Sequence, residues 1–146
     1  MTLADNLSRA ETLLQQVGST PILNHIAGAA VPAESGKTFE TLSPVDMRRI
    51  ADVARGDAVD IDRAARAATR AFAEWRDMAG TKRKAILHRI ADGIVARADD
   101  IALLECMDTG QALRFMSKAA LRAAENFRFF ADLAPTARDG KSLFAP

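Results

Sequence analysis

The sequence predicts an α/β chain in which two short β-hairpins are followed by a run of amphipathic helices. Residues 22–53 contain short apolar runs separated by turn-forming residues, which is typical of paired strands. From Gly56 onward, apolar residues recur at helical spacing instead. The chain has 146 residues, of which 49% are hydrophobic and 27% charged. This length and balance fit one globular domain.

A helix is predicted before the hairpins, over residues 3–17, because apolar residues there follow helical spacing and Gly18 is a natural stop. The first hairpin is predicted within residues 22–31, where Gly28 supplies the unusual backbone angle that a tight turn needs. The second hairpin is predicted to pair Thr38–Leu42 with residues 50–53, across a turn at residues 43–46.

The next helix is predicted over residues 58–76, with Asp57 as its cap and Asp60 and Asp62 near the positive end of its dipole. Its apolar residues lie on one face, which we expect to be buried. They are Ile61, Ala64, Ala65, Ala68, Phe72 and Trp75.

A second helix of this group is predicted over residues 81–98, after a break at Gly80 and with Thr81 as its cap. Its apolar stripe is also expected to be buried. The stripe consists of Ile86, Leu87, Ile90, Ala91 and Ile94.

Two further helices complete the prediction. The shorter one begins at Asp99 or Asp100 and ends at a left-handed Gly110. The last spans residues 119–134 and stops before Pro135. Its apolar line is Ala120, Ala124, Phe127 and Ala131, with Phe130 beside it. Residues 139–146 are predicted to form a turn and the start of a strand.

Charge and composition exclude several classes of protein. The formal net charge is +1, and the basic runs at residues 48–49 and 82–84 have no interleaved aromatic residues, so nucleic acid is not predicted as a partner. No apolar run is long enough for a membrane span or for the core of a signal peptide. The single cysteine, Cys106, cannot form an internal disulfide, which favours a cytoplasmic location.

No phosphate-binding loop is predicted. Residues 36–38 and 140–142 resemble the end of such a loop, but the leading glycine is replaced by Val31 in one case and by Pro135 in the other.

Catalysis by the most reactive side chains is not predicted either. Cys106 has Glu105 and Asp108 as neighbours, which raise the pKa of a thiol, and it fits a small core side chain. The two histidines, His25 and His88, have no metal-ligand spacing. The phenylalanines at positions 127, 129 and 130 are interpreted as packing residues.

Six segments carry a family resemblance. Residues 24–31 read Asn-His-Ile-Ala-Gly-Ala-Ala-Val, and residues 37–44 read Lys-Thr-Phe-Glu-Thr-Leu-Ser-Pro. They are followed by residues 61–75, which end in Ala-Phe-Ala-Glu-Trp, by the arginine-containing residues 83–97, by Glu-Cys-Met-Asp-Thr-Gly at 105–110, and by Ala-Glu-Asn-Phe-Arg-Phe-Phe-Ala at 124–131. In order and spacing they resemble the beginning of the aldehyde dehydrogenase superfamily, with residues 1–23 outside the resemblance.

The sequence departs from the family pattern in three places. Ala27 replaces the Asn of the first turn, Ser43 replaces the Asn before Pro44, and Asp-Met-Arg at residues 46–48 replaces the common Thr-Gly-Glu. The segment at residues 125–127 is most similar to dehydrogenases that act on semialdehydes from aromatic-ring cleavage, such as 5-carboxymethyl-2-hydroxymuconate semialdehyde.

The resemblance implies a domain organisation. Residues 1–21 would be a helical extension, and residues 22–138 the N-terminal part of a coenzyme-binding domain. Residues 139–146 would be the truncated start of an oligomerisation strand. The partners implied are the rest of the dehydrogenase subunit and, for the full-length protein, further copies in a homo-oligomer.

The implied chemistry is thiol catalysis with NAD or NADP: a cysteine attacks an aldehyde, hydride passes to the coenzyme, and a glutamate helps water to release the carboxylic acid. The family's catalytic and coenzyme-binding residues are all expected beyond Pro146. We therefore assign no catalytic or coenzyme-binding residue to this chain, and expect neither coenzyme binding nor activity from it alone. Cys106 stands where the family usually has a threonine.

Two further expectations follow. The resemblance implies a structural monovalent cation held by the Asp108 carboxylate and the Leu42 carbonyl, although a helix-ending Asp can also serve only as a cap. The alternative to a partial dehydrogenase is a stand-alone helical binding or structural module that reuses this part of the fold.

Overall fold

The computed structural model describes residues 2–137. Its elements, in chain order, are α1 (Leu3–Gly18), β1 (Asn24–Ile26), β2 (Ala29–Val31), β3 (Thr38–Leu42), β4 (Arg49–Ala54), α2 (Ala58–Asp77), α3 (Gly80–Ala96), α4 (Ala98–Thr109), α5 (Leu113–Met116) and α6 (Ala119–Leu133). The predicted order of two hairpins and then helices is confirmed. The short α5 was not predicted, and the turn and strand expected at residues 139–146 lie outside the described residues.

Both hairpins are antiparallel and two-stranded. The β1–β2 turn places Ala27 at φ 54 and Gly28 at φ 80, so both central residues are left-handed, as a tight two-residue turn requires. In the β3–β4 pair the register shifts between Thr41 and Leu42. Ile22 adds a parallel bridge to Val53, which ties the segment before β1 to the second sheet.

Helix α1 packs against α4 and β4. Ala10 and Leu13 on α1 form the one buried hydrophobic cluster found among residues 2–137, together with Leu103 on α4. At the cluster's edge, the Arg9 guanidinium donates to the Asp100 carboxylate and lies 3.3 Å from Asp99. Asp99 and Asp100 lie in the first turn of α4, where the helix dipole favours carboxylates.

Helices α3 and α6 make the most extensive contact between any two elements of the described residues. Small side chains allow it: Ala91 on α3 and Ala124 and Ala131 on α6 are fully enclosed. Gly80 begins α3, and a Cβ there would collide with the Ala134 carbonyl oxygen. The predicted break between α2 and α3 is confirmed, but it falls at residues 78–79 rather than at Gly80. The predicted Thr81 cap is wrong, because α3 begins at Gly80 without a side-chain cap.

The predicted burial of apolar faces is wrong at several large side chains. On α2, Ile61 is 70% exposed, Phe72 58% and Trp75 38%, and the one buried residue of this helix is Asp60. On α3, Ile86 and Ile94 are half-buried but Ile90 is 40% exposed. On α6, Ala120, Ala124 and Ala131 are buried while Phe127 and Phe130 are exposed. Within the described residues, no element packs against these larger side chains closely enough to enclose them.

Candidate functional site

The end of α4 meets the second hairpin. Gly110 caps α4 at φ 74, which confirms the predicted left-handed stop. Its Cα lies so close to Pro44 that a Cβ would come within 3.2 Å of the proline ring. Two residues before Gly110, the Asp108 carboxylate accepts a hydrogen bond from the Thr41 hydroxyl at 3.3 Å. The resemblance predicted that Asp108 would lie near Leu42, and the residue it contacts is the immediate neighbour, Thr41.

A cavity of about 460 Å³ opens between α1, α4 and the β3–β4 sheet. Thr41, Glu105 and Asp108 are its polar residues. The remaining lining is apolar: Val17, Ile22, Phe39, Ile50, Val53, Ile101 and Leu104. The site thus combines an apolar groove with carboxylate and hydroxyl oxygens, which suit a hard cation better than a soft metal.

The reactive side chains do not converge. Cys106 is half-buried and does not line this cavity. Burial raises the pKa of its thiol, and the Glu105 carboxylate raises it further, which is the opposite of an activated nucleophile. His25 is exposed on β1, and His88 lies on α3, where its Nε2 is 3.0 Å from the Asp132 carboxylate on α6. Among the described residues, no group of three or more His, Cys, Asp or Glu could hold a metal ion.

The glycine-containing turn at residues 34–37 does not fit a coenzyme phosphate. The Gly36 amide donates to the Ala33 carbonyl at 2.8 Å, and the Lys37 amide donates to the Ser35 hydroxyl at 3.3 Å. Both amides are therefore used within the turn, and the segment continues into a strand rather than a helix. These hydrogen bonds favour a structural turn over a phosphate-binding loop at residues 34–37.

The sequence did not predict that the Asp60 side chain would be buried and would contact the loop that follows the first hairpin. Asp60 is 3% exposed, and its carboxylate accepts hydrogen bonds from the backbone of Glu34 and of Asp57. The signal was present, because an acidic residue three positions after a capping aspartate is the pattern of a capping box. Its partners are backbone amides, so its role is to join the first hairpin to α2.

No helix of residues 2–137 is long and apolar enough to cross a membrane.

Comparison with known sequences identifies the family. The profile of the aldehyde dehydrogenase family matches residues 30–145. The chain belongs to this family. The fold agrees, because the structure superposes on HpcC from Thermus thermophilus with a TM-score of 0.86 and 41% identity, over 90% of this chain and 25% of HpcC.

Other aldehyde dehydrogenases give the same result. The 2-hydroxymuconic semialdehyde dehydrogenase of Pseudomonas sp. strain CF600 is 41% identical over 114 residues, which are 77% of this chain and 24% of that enzyme. The NADP/NAD-dependent aldehyde dehydrogenase PuuC of Escherichia coli K12 is 40% identical over 73% of this chain and 22% of its own. PnpE, whose structure is a complex with nicotinamide adenine dinucleotide, matches with a TM-score of 0.75 and 33% identity over 78% of this chain and 24% of PnpE. The chain spans about a quarter of the length of these aldehyde dehydrogenases.

Proposed function

We propose that this chain acts as the N-terminal part of an NAD- or NADP-dependent aldehyde dehydrogenase that oxidises a semialdehyde to a carboxylic acid. The observation that carries the proposal is a match to the family profile over residues 30–145, together with a relative of which the match covers 24%. The similarity to 2-hydroxymuconic semialdehyde dehydrogenase supports an unsaturated semialdehyde from aromatic catabolism as the substrate class. The 5-carboxymethyl derivative is the member of that class that we favour.

In this proposal residues 22–138 belong to the coenzyme-binding domain, residues 1–21 extend it, and residues 139–146 start the strand that leads to a homo-oligomer in the cytoplasm. The chain contributes scaffold rather than chemistry. The helices and the two hairpins form a platform on which the catalytic parts assemble, and the thiol of Cys106 takes no part in the reaction.

A structural monovalent cation at Asp108 and Leu42 is a second element of the proposal. The Thr41–Asp108 hydrogen bond supports it, because it brings the carboxylate to the side chain of the residue next to Leu42. Asp108 and Leu42 supply only two oxygens, so the site would need further donors. A tenfold change in the K⁺ or Na⁺ concentration should shift the Tm of the wild-type full-length protein but not that of Asp108→Ala. An equal shift in both would remove the site from the proposal.

The activity is tested with the purified chain, a panel of aliphatic and aromatic aldehydes, and the absorbance of NADH or NADPH. We expect no turnover by this chain, and full activity from a longer product whose reading frame continues past the Pro146 codon into Trp-Asn, glutamate and cysteine segments. In that longer product Cys106→Ala should leave the activity nearly intact. Turnover by this chain that Cys106→Ala abolishes would overturn the proposal. Inactivity combined with a sharp two-state thermal transition of a monomer would favour a stand-alone module instead.

A further inference from the structure

Helix α2 carries an apolar stripe that nothing in residues 2–137 covers. The stripe consists of Ile61, Ala65, Ala68, Phe72 and Trp75, which recur at helical spacing on one side. All five are exposed, including Ile61 at 70% and Phe72 at 58%. From its first to its last residue the stripe runs about 20 Å along the helix. Contiguous apolar surface left exposed on a folded protein is typical of an interaction site.

The opposite side of α2 is already in use. Arg63, Arg66 and Arg70 lie there, in a groove of about 240 Å³ shared with the first hairpin. Arg63 is paired with Glu34, and Arg66 with Asp62. The α2 helix is thus held against the hairpin by one side and presents the stripe on the other.

Charge selects the kind of partner. Four arginines and four acidic residues lie on α2, so the helix has no net charge. A helix that binds an anionic membrane surface would carry an excess of basic residues on its polar face. Balanced charges around an aromatic and aliphatic stripe instead fit a folded protein surface, where Phe and Trp side chains act as anchors.

We propose that the α2 stripe is the docking surface for the remaining three quarters of a dehydrogenase subunit. This inference rests on the proposed function. The length of the relatives identifies the occupant: HpcC superposes on 90% of this chain, but this chain covers only 25% of HpcC. Of the 20 residues of α2, only Asp60 is buried. The apolar stripe of α2 therefore depends on contacts from outside the described residues.

The test uses the whole 146-residue chain, tagged and co-expressed with the complementary three quarters of HpcC. Retention of the HpcC part on the tag and size-exclusion chromatography measure the complex. Ile61→Asp places a charge on the stripe. Val59→Asp is the matched control, because Val59 is also an exposed apolar residue of the first turn but lies on the arginine side. Circular dichroism verifies that both variants fold.

We expect the wild-type chain and Val59→Asp to retain the HpcC part, and Ile61→Asp to weaken retention at least tenfold. Hydroxyl-radical footprinting should show Phe72 and Trp75 modified in the chain alone and protected in the complex. Equal retention of the two variants, or no retention by the folded wild type, would overturn the inference. So would a dimer of the chain alone that Ile61→Asp dissociates, since the occupant would then be a second copy. A complex that forms but has no aldehyde-dependent activity would count against the proposed function and leave the docking surface standing.

Discussion

The Asp60 carboxylate on α2 accepts the backbone N–H of Glu34 at 3.1 and 3.2 Å, although 26 residues separate them along the chain. The same carboxylate accepts the Asp57 amide at 3.1 Å. A buried carboxylate is costly unless hydrogen bonds compensate the lost hydration, and here backbone donors do so. Asp60 thereby caps α2 and fixes the loop that follows the first hairpin.

Asp60→Ala should lower the free energy of unfolding by about 1–3 kcal/mol, because it removes the acceptor for the amides of Glu34 and Asp57. Urea denaturation followed by circular dichroism measures the loss. Asp62→Ala is the control: Asp62 pairs only with exposed Arg66 one turn away, so the change should stay within about 0.5 kcal/mol. Equal effects of the two substitutions would contradict the role assigned to Asp60.

A second prediction concerns acid stability and Asp132 on α6. Hydrogen bonds from Lys84, at 2.9 Å, and from His88 lower the pKa of Asp132 in the folded chain. The pKa of Asp132 is thus lower in the folded chain than in the unfolded chain. The interactions of Asp132 with Lys84 and His88 therefore stabilise the fold at pH values above the unfolded pKa, and this contribution is lost as the pH falls through the folded pKa.

The free energy of unfolding of Asp132→Asn should therefore fall less steeply than that of the wild type below about pH 4. Lys84→Met should reproduce most of this change, since the hydrogen bond from Lys84 is the largest cause of the lowered pKa of Asp132. Urea titrations at a series of pH values measure both slopes. Equal slopes for the wild type and Asp132→Asn would show that the interactions of Asp132 with Lys84 and His88 contribute nothing to the free energy of unfolding.

The order and type of most elements could be predicted because local signals determine them. The left-handed Gly28 and Gly110, and the cap at Asp57, act within a few residues of their own positions. Helix bounds were accordingly right to within two residues for the helices that were predicted. The four-residue α5 was missed because one helical turn leaves no periodicity to detect.

Burial could not be predicted from periodicity alone. An apolar face indicates that a partner exists, but not that the partner lies within the same chain segment. The stripe on α2 is as periodic as the buried alanines of α6, yet Phe72 is exposed and Ala124 is enclosed. The candidate site was predictable only through the family resemblance, since the Thr41–Asp108 contact joins residues 67 positions apart.

Cys106 should behave as an unactivated thiol. Burial and the neighbouring Glu105 raise its pKa, so fewer thiolates are present near neutral pH than for a free cysteine. The rate of iodoacetamide alkylation, measured by mass spectrometry as a function of pH, should have a higher midpoint for the folded chain than for the chain in urea. Glu105→Gln should lower the folded midpoint only in part, because burial is the larger cause. A folded midpoint below that of the chain in urea would reveal an activated cysteine and reopen its assignment as a nucleophile.

The last prediction compares two glycines of the same helix. A Cβ on Gly80 would collide with the Ala134 carbonyl oxygen and approach Pro135 Cα at 2.6 Å, and both obstacles are backbone that cannot rotate away. A Cβ on Gly93 would meet nothing within 4 Å. Alanine favours a helix interior over glycine by about 1 kcal/mol, so Gly93→Ala should stabilise the chain by up to that amount.

Gly80→Ala should instead destabilise the chain by about 1–3 kcal/mol, because it forces the start of α3 away from the end of α6. Chemical denaturation of both variants measures the difference, and their effects should have opposite signs. Stabilisation by both substitutions would mean that α3 and α6 are not in contact at this end. The rest of the interface between α3 and α6 is formed by the buried residues Ala91, Ala124 and Ala131. That outcome would therefore separate the two helices only where α3 begins and α6 ends, and leave the rest of the pair packed.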